Sequence, residues 1–124
     1  MKDYVSLPDL RHIFLEESWV LSIHLAPNNL SIELDFVLMP EHPSYEAPGT
    51  QEVHCYRRGI MRFGDVRSLS WNCDAFQPSA DATGEMDLGH IHSMAFDGDT
   101  YHVDGDIGVL TIRAASCRVE LSAA

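Results

Sequence analysis

Three groups of side chains have the types and spacing to do chemistry. His90 and His92 stand two apart, with His102 following, the raw material of a three-histidine metal site. Asp81, Glu85 and Asp87 crowd one acidic stretch and offer the hard oxygen ligands that calcium takes. Glu41 and His42 lie between Pro40 and Pro43 with Ser44 and Tyr45 beside them, an acid–base pair next to hydroxyls. General acid–base work needs such a pair held in a cleft. Each group falls short on closer reading. If Phe96 pairs with Tyr101, then Met94 meets Val103, His92 meets Gly105, and His102 lies opposite Ala95. His102 then points away from the face of His90 and His92, and only a bulge would reunite them. The glutamate that would complete a metal set a few residues on is replaced by Phe96 and Asp97. An EF-hand loop opening at Asp81 needs glycine where Met86 stands and glutamate where His92 stands. No metal and no cofactor are therefore expected, and no residue is assigned a catalytic role. There is no Gly-x-Ser-x-Gly elbow, phosphate loop or dinucleotide fingerprint. Cys55 shares an inward face with Val53 and reads as a buried thiol, not a nucleophile.

The elements that must position these groups are mostly strands. Asp97-Gly98-Asp99 and Asp104-Gly105-Asp106 are turn signals between alternating apolar runs, which predicts antiparallel strands over 89–96, 100–104 and 107–114. Leu30, Ile32, Leu34, Phe36 and Leu38 alternate cleanly, as do Trp19, Leu21, Ile23 and Leu25, with Ala26-Pro27-Asn28-Asn29 as the turn. Pairing Leu25 with Leu30 sets Ile23 on Ile32 and Leu21 on Leu34, and sends Ser31, Glu33 and Asp35 to solvent. Residues 53–63 and 66–71 form a further hairpin about Gly64-Asp65, which sets Arg62 against Arg67 unless a bulge or a carboxylate intervenes. Cys117–Leu121 is a short closing strand. Before the strands, Ser6 to Asp9 has the form of a capping box, and Leu7, Leu10 and Phe14 recur at helical spacing, which predicts a helix over 7–16. Residues 39–52 hold three prolines and a glycine and must be a loop; residues 72–88 form a second long polar loop. The fold class is mainly β: an antiparallel meander of about eight strands, a sandwich or an open barrel, with one short N-terminal helix.

At 124 residues the chain is one domain, residues 1–124, with an ordinary apolar fraction of 45%. No apolar run is long enough to span a membrane, and the N-terminus lacks the apolar core of a signal peptide. Cys55, Cys73 and Cys117 show no metal or redox spacing and fit reduced thiols in a cytoplasmic protein. The net charge of −11 is the outlying bulk property. From Ser68 to Ile112 there is no Lys or Arg, while Asp97, Asp99, Asp104 and Asp106 all fall there, and Arg57, Arg58, Arg62 and Arg67 cluster just before. Such a field repels nucleic acid and anionic membrane and draws in basic partners. Internal pairing with Asp81, Glu85 or Asp87 is the expected fate of the arginines. Tyr4, Tyr45, Tyr56 and Trp71 are candidate interface anchors, with core packing the commoner fate of Trp71. Strand 19–25 exposes Val20, Ser22 and His24 on a weakly guarded outer face, which predicts a homodimer built on it and weakened by Val20→Lys.

Val37-Leu38-Met39-Pro40-Glu41-His42-Pro43-x-Tyr45-x-x-Pro48, then Glu52-x-x-Cys55-Tyr56-Arg57-Arg58, Asp81-Ala82-x-Gly84-Glu85-x-Asp87-x-Gly89 and Gly105-Asp106-x-Gly108 together form a pattern. It resembles a family of short, uncharacterised bacterial proteins over most of the chain after the predicted helix. The resemblance implies that the two long loops and Arg57-Arg58 are shared features, and it implies no activity. The expectation is a non-enzymatic acidic binding module for a basic protein, similar in size and charge to the immunity proteins that neutralise toxins. Asp97 to Asp106 would steer the partner and Tyr45 or Tyr56 would anchor it. The alternative is a small hydrolase-like enzyme or a metal-dependent ligand-binding domain, which requires the 40–52 and 72–88 loops to converge on one pocket.

Overall fold

Alternation in residues 29–38 sets the centre of the fold. Leu30, Ile32, Leu34, Phe36 and Leu38 are all buried, while Ser31, Glu33 and Asp35 between them stay half-exposed. A strand with one apolar face must cover it, and this chain does so with a single curled antiparallel sheet. The computed structural model describes residues 1–50, 53–73, 79–80 and 86–122. Its strands are β1 (Lys2–Asp3), β2 (Ile13–Ala26), β3 (Asn29–Leu38), β4 (Cys55–Asn72), β5 (Ser79–Ala80), β6 (Met86–Asp87), β7 (Ile91–Asp97), β8 (Thr100–Gly105) and β9 (Gly108–Leu121). Seven of them form one open sheet in the order β1-β7-β8-β9-β4-β3-β2, and β5 pairs with β6 apart from it. The class is mainly antiparallel β, as expected; seven strands in one sheet replace the expected count of about eight. The two sides of the sheet meet at one point. There Trp19 and His90 form an isolated antiparallel bridge, and the Val20 N–H donates to the Gly89 carbonyl at 2.8 Å. No helix among the described residues is long and apolar enough to cross a membrane.

The helix expected over 7–16 is absent. Tyr4–Ser6 and Pro8–Leu10 are short 3-10 turns, and β2 has begun by Ile13. Asp3 rather than Ser6 caps the first turn, accepting from the Val5 N–H at 3.4 Å. Asp9, the acid of the supposed capping box, instead accepts from the Val119 N–H at 3.0 Å. Ile13 and Leu15 are buried and Phe14 is exposed, a period of two. So short a helix is marginal on its own, whereas pairing Ile13 with Leu38 extends the sheet and its core.

In β2 the inner and outer faces exchange along the strand. Leu25 pairs with Leu30 and Ile23 with Ile32 as expected, but Leu34 meets Val20, not Leu21. Register shifts fall between Val20 and Ser22 and between Phe14 and Trp19. Val20 is therefore buried, at 1% exposure, and Trp19 faces outward. This removes the outer-face interface assigned to Val20. Ser18 makes the larger shift possible. Fully buried, its hydroxyl donates to the Phe14 carbonyl at 2.9 Å and accepts from the Val37 N–H at 3.0 Å. Each of those backbone groups would otherwise be an unpaired polar group at the edge of the core.

The hairpin expected about Gly64-Asp65 is one continuous strand. β4 pairs with β3 from Cys55 to Gly64 and with β9 from Gly59 to Asn72. Asp65 has φ 52° but keeps its register with β9, and the register shifts between Val66 and Ser68, so a bulge at Arg67 just past the turn-like pair takes the place of the hairpin. The Asn28 carbonyl, in the β2–β3 turn, accepts from the Val66 N–H at 2.9 Å and secures it. Arg62 consequently sits across from Arg118, not Arg67. The predicted strands 107–114 and 117–121 are likewise one, β9, so Cys117–Leu121 is an interior strand paired with β4 and not a sheet edge. Val53, expected inside, is 86% exposed, while Cys55 is buried.

Candidate functional site

A concavity lined by ionisable side chains lies where the N-terminal turns meet the end of β9. Pro8–Leu10 and the following Arg11 and His12 form one wall, Val119 and Leu121 another, and His42 and Pro43 of the 39–54 loop the third. The cavity holds about 380 Å³, small-molecule size at the low end. Its loop is held by local hydrogen bonds: the Met39 N–H donates to the His12 carbonyl, and the His42 and Tyr45 N–H groups donate to the Met39 and His42 carbonyls. His42 Nδ1 accepts from the Ser44 N–H at 3.0 Å, so the neutral ring carries its proton on Nε2. Burial, then the positive charges of His12 and Arg57, hold the His42 imidazole below its ordinary range. Arg57 and Arg58 point to opposite faces of β4, as neighbours in a strand must. Arg57 is on the inner side and donates to the Ser122 carbonyl at 3.4 Å; Arg58 is outside, 3.5 Å from Asp35. Glu41 is exposed, and Tyr45 is half-buried against the core, so neither works with His42 as the sequence motif proposed.

The histidine–aspartate stretch forms a different arrangement from a metal set. Phe96 pairs with Tyr101, Ala95 with His102 and Met94 with Val103, as expected. At His92 the expected pairing fails, because Ile91 takes Gly105 and the register shifts before Ser93. Asp106 gathers the two earlier histidines: its carboxylate accepts from the His90 N–H at 2.9 Å and contacts His92 Nε2 at 2.9 Å. The His90 ring lies against Trp19 with centroids 3.7 Å apart, and its Nδ1 is buried without a hydrogen-bond partner. Among the described residues no group of three His, Cys, Asp or Glu is placed to hold a metal. The backbone hydrogen bond from His90, then the His92 contact, keep the Asp106 carboxyl below its ordinary range against the opposing effect of burial. A depressed acid stabilises the fold above its unfolded value and loses that contribution as pH falls through the folded one. Asp106→Asn is therefore expected to lower the melting temperature at pH 7, with the gap to wild type closing below roughly pH 4. Melting curves at several pH values measure this, and a gap unchanged at pH 2.5 would refute it.

The remaining acids divide between the two ends of β8. Asp97 and Asp99 flank one turn and Asp104 and Asp106 the other, so they do not make one patch at a loop tip. Asp99 is bonded to Arg113 at 3.1 Å, which holds its carboxyl below the usual range. Asp97 and Asp104 are exposed. Between these ends, Ser93, Ala95, Thr100, His102 and the 47%-exposed Val109 line the outer face. Arg62 pairs with Glu120 at 2.7 Å, so the described arginine partners are Asp35, Glu120 and Asp99. Asp81 and Glu85, the expected partners, lie outside the described residues, as does the side chain of Asp87. These pairs are exposed and screened by solvent, so they add little to stability.

Of the aromatic anchors, Tyr4 is buried with its hydroxyl donating to Glu16 at 2.6 Å, and Trp71 packs on the core with Nε1 donating to the Ile107 carbonyl. Tyr56 is exposed and forms an outer row with Phe14 and Val37 across β4, β3 and β2, with β9 between β4 and the β7–β8 acids. Cys55 and Cys117 are buried and Cys73 is exposed. Burial, and then the charge of Asp9, push the Cys117 thiol up to about 12, which leaves it protonated and inert. No described residue of the 72–88 loop lines the cleft that holds His42. Asp9, Arg11 and His12 do line it, and sequence reasoning missed them. They sat inside a supposed helix, and only the long-range contact with β9 brings them to His42. Compared with family models, with curated proteins and with solved structures, the chain matches none.

Proposed function

We propose that the protein is a non-enzymatic acidic binding module that docks a basic protein along the outer face of β7 and β8. The observation that supports this most is the pair of acidic ends on that face, Asp97 with Asp99 and Asp104 with Asp106, separated by Ser93, Ala95, Thr100 and His102. At about 3.3 Å per residue, the ends stand some 15 Å apart, a spacing that an extended or helical basic segment can match. Long-range attraction from a chain of net charge −11 would speed encounter, and local carboxylates would set the register. Val109, exposed beside Asp104, replaces Tyr45 and Tyr56 as the apolar contact. The same reading takes the curled sheet as an open barrel, and takes the motif pattern as membership of a bacterial family whose cytoplasmic members share this surface.

The test is to recover the partner from the source cell and to measure its affinity across a salt series. Asp97→Asn with Asp104→Asn is expected to slow association about tenfold and to flatten the salt dependence. An acidic partner, or an affinity equal at low and high salt, would overturn the reading.

A further inference from the structure

We propose that the cleft between Arg11, His42 and Leu121 is a binding site for a small organic anion with an apolar body, such as an aromatic carboxylate. The protein is acidic as a whole, yet the polar lining of this cavity runs the other way: Arg11, His12 and His42 against Asp9 alone. Asp9 is already engaged, one carboxylate oxygen accepting from the Val119 N–H at 3.0 Å. The Arg57 charge acts on His42 as well. An anion placed among these groups would relieve their mutual repulsion, whereas a cation would add to it. His42 is preset for that role, because the Ser44 N–H occupies Nδ1 and leaves Nε2 as the donor.

The other half of the lining selects the body of the ligand. Pro8, Pro43, Val119 and Leu121 present apolar surface that inorganic phosphate would leave wet. A ring or branched chain attached to the carboxylate would cover it. The volume of about 380 Å³ fits a ligand of that size. This site is independent of the acidic outer face, since its lining comes from residues 8–12, 42–43 and 119–121.

Benzoate is the probe. Titrated into the whole protein at pH 6, it is expected to shift the imidazole resonances of His12 and His42 and to leave that of His24 unmoved. Arg11→Gln and His42→Gln should each weaken binding about tenfold or more, the loss of a hydrogen bond to a charged group. Arg11 is exposed, so its variant keeps the fold and carries the test if His42→Gln does not. Benzyl alcohol should bind at least tenfold more weakly than benzoate, and inorganic phosphate likewise. Benzyl alcohol matching benzoate would show an apolar slot without anion selectivity. Phosphate matching it would show a bare anion site. Unmoved His42 signals, or full affinity in Arg11→Gln, would place any binding elsewhere. Each of these results overturns the proposal.

Discussion

Replacing Val20 by lysine is expected to destabilise the protein strongly, although strict alternation along β2 would make the change harmless. Val20 sits at 1% exposure opposite Leu34, inside the cluster that holds Ile13, Leu15 and Phe36. An ammonium there loses its water and gains no partner, a penalty of several kcal/mol. A domain of this size has a total stability of about 5–15 kcal/mol, so a loss of ~4 kcal/mol leaves little margin. Leu25→Lys provides the comparison: Leu25 is 59% exposed, and the change should stay within about 0.5 kcal/mol. Urea unfolding followed by circular dichroism reads both. A Val20→Lys midpoint within error of wild type would refute the register between β2 and β3.

Gly108→Ala is expected to be the most damaging change that adds a single methyl group. Gly108 has φ 115°, a conformation that costs a side-chain-bearing residue about 1–3 kcal/mol on its own. A Cβ built there would also strike the Asn72 carbonyl, and the carbonyl belongs to the backbone of β4 and cannot swing aside. The alanine variant should therefore lose more than the dihedral cost, with the damage at the far end of the β4–β9 pairing. Gly98→Ala is the matched control, since Gly98 also has a positive φ but no heavy atom lies within 4 Å of its added Cβ. Thermal melts of the two variants should differ by several degrees. Equal losses would mean that the carbonyl contact contributes nothing.

The sequence made the sheet legible wherever a strand keeps one phase. In β3 the expected inner face, Leu30, Ile32, Leu34, Phe36 and Leu38, is buried throughout, and only Val37 on the other face is buried as well. The β7–β8 pairing of Phe96 with Tyr101 and Ala95 with His102 followed from the turn between them. Legibility ended at bulges. Ser18 changes the phase of β2 with one hydroxyl bonded to two backbone groups, and no local pattern announces that. Gly64-Asp65 has the composition of a turn and Asp65 does take a left-handed φ of 52°, yet the β9 partner keeps the strand going and the irregularity falls two residues on, between Val66 and Ser68. The cleft was hidden for a related reason. Arg11 and His12 fall within the expected 7–16 helix, and only the contact of Asp9 with β9 places them beside His42.

The central position of β4 also sets the order in which the molecule can assemble. On one side it continues a local meander, β2-β3-β4, and on the other it joins β9, the last strand of a second local meander, β7-β8-β9. Within each meander neighbouring strands are close in sequence, so their loops close at little entropic cost. The β4–β9 ladder ties residue 59 to residue 121 at one end and residue 72 to residue 109 at the other. Apart from the two-residue β1–β7 pairing and the Trp19–His90 bridge, these are the long-range pairings of the sheet, and contacts of that separation slow folding. Two half-sheets that form first would each present an unpaired edge, so β4–β9 pairing is the expected rate-limiting step; a substitution in that ladder that leaves the folding rate unchanged while speeding unfolding would refute it.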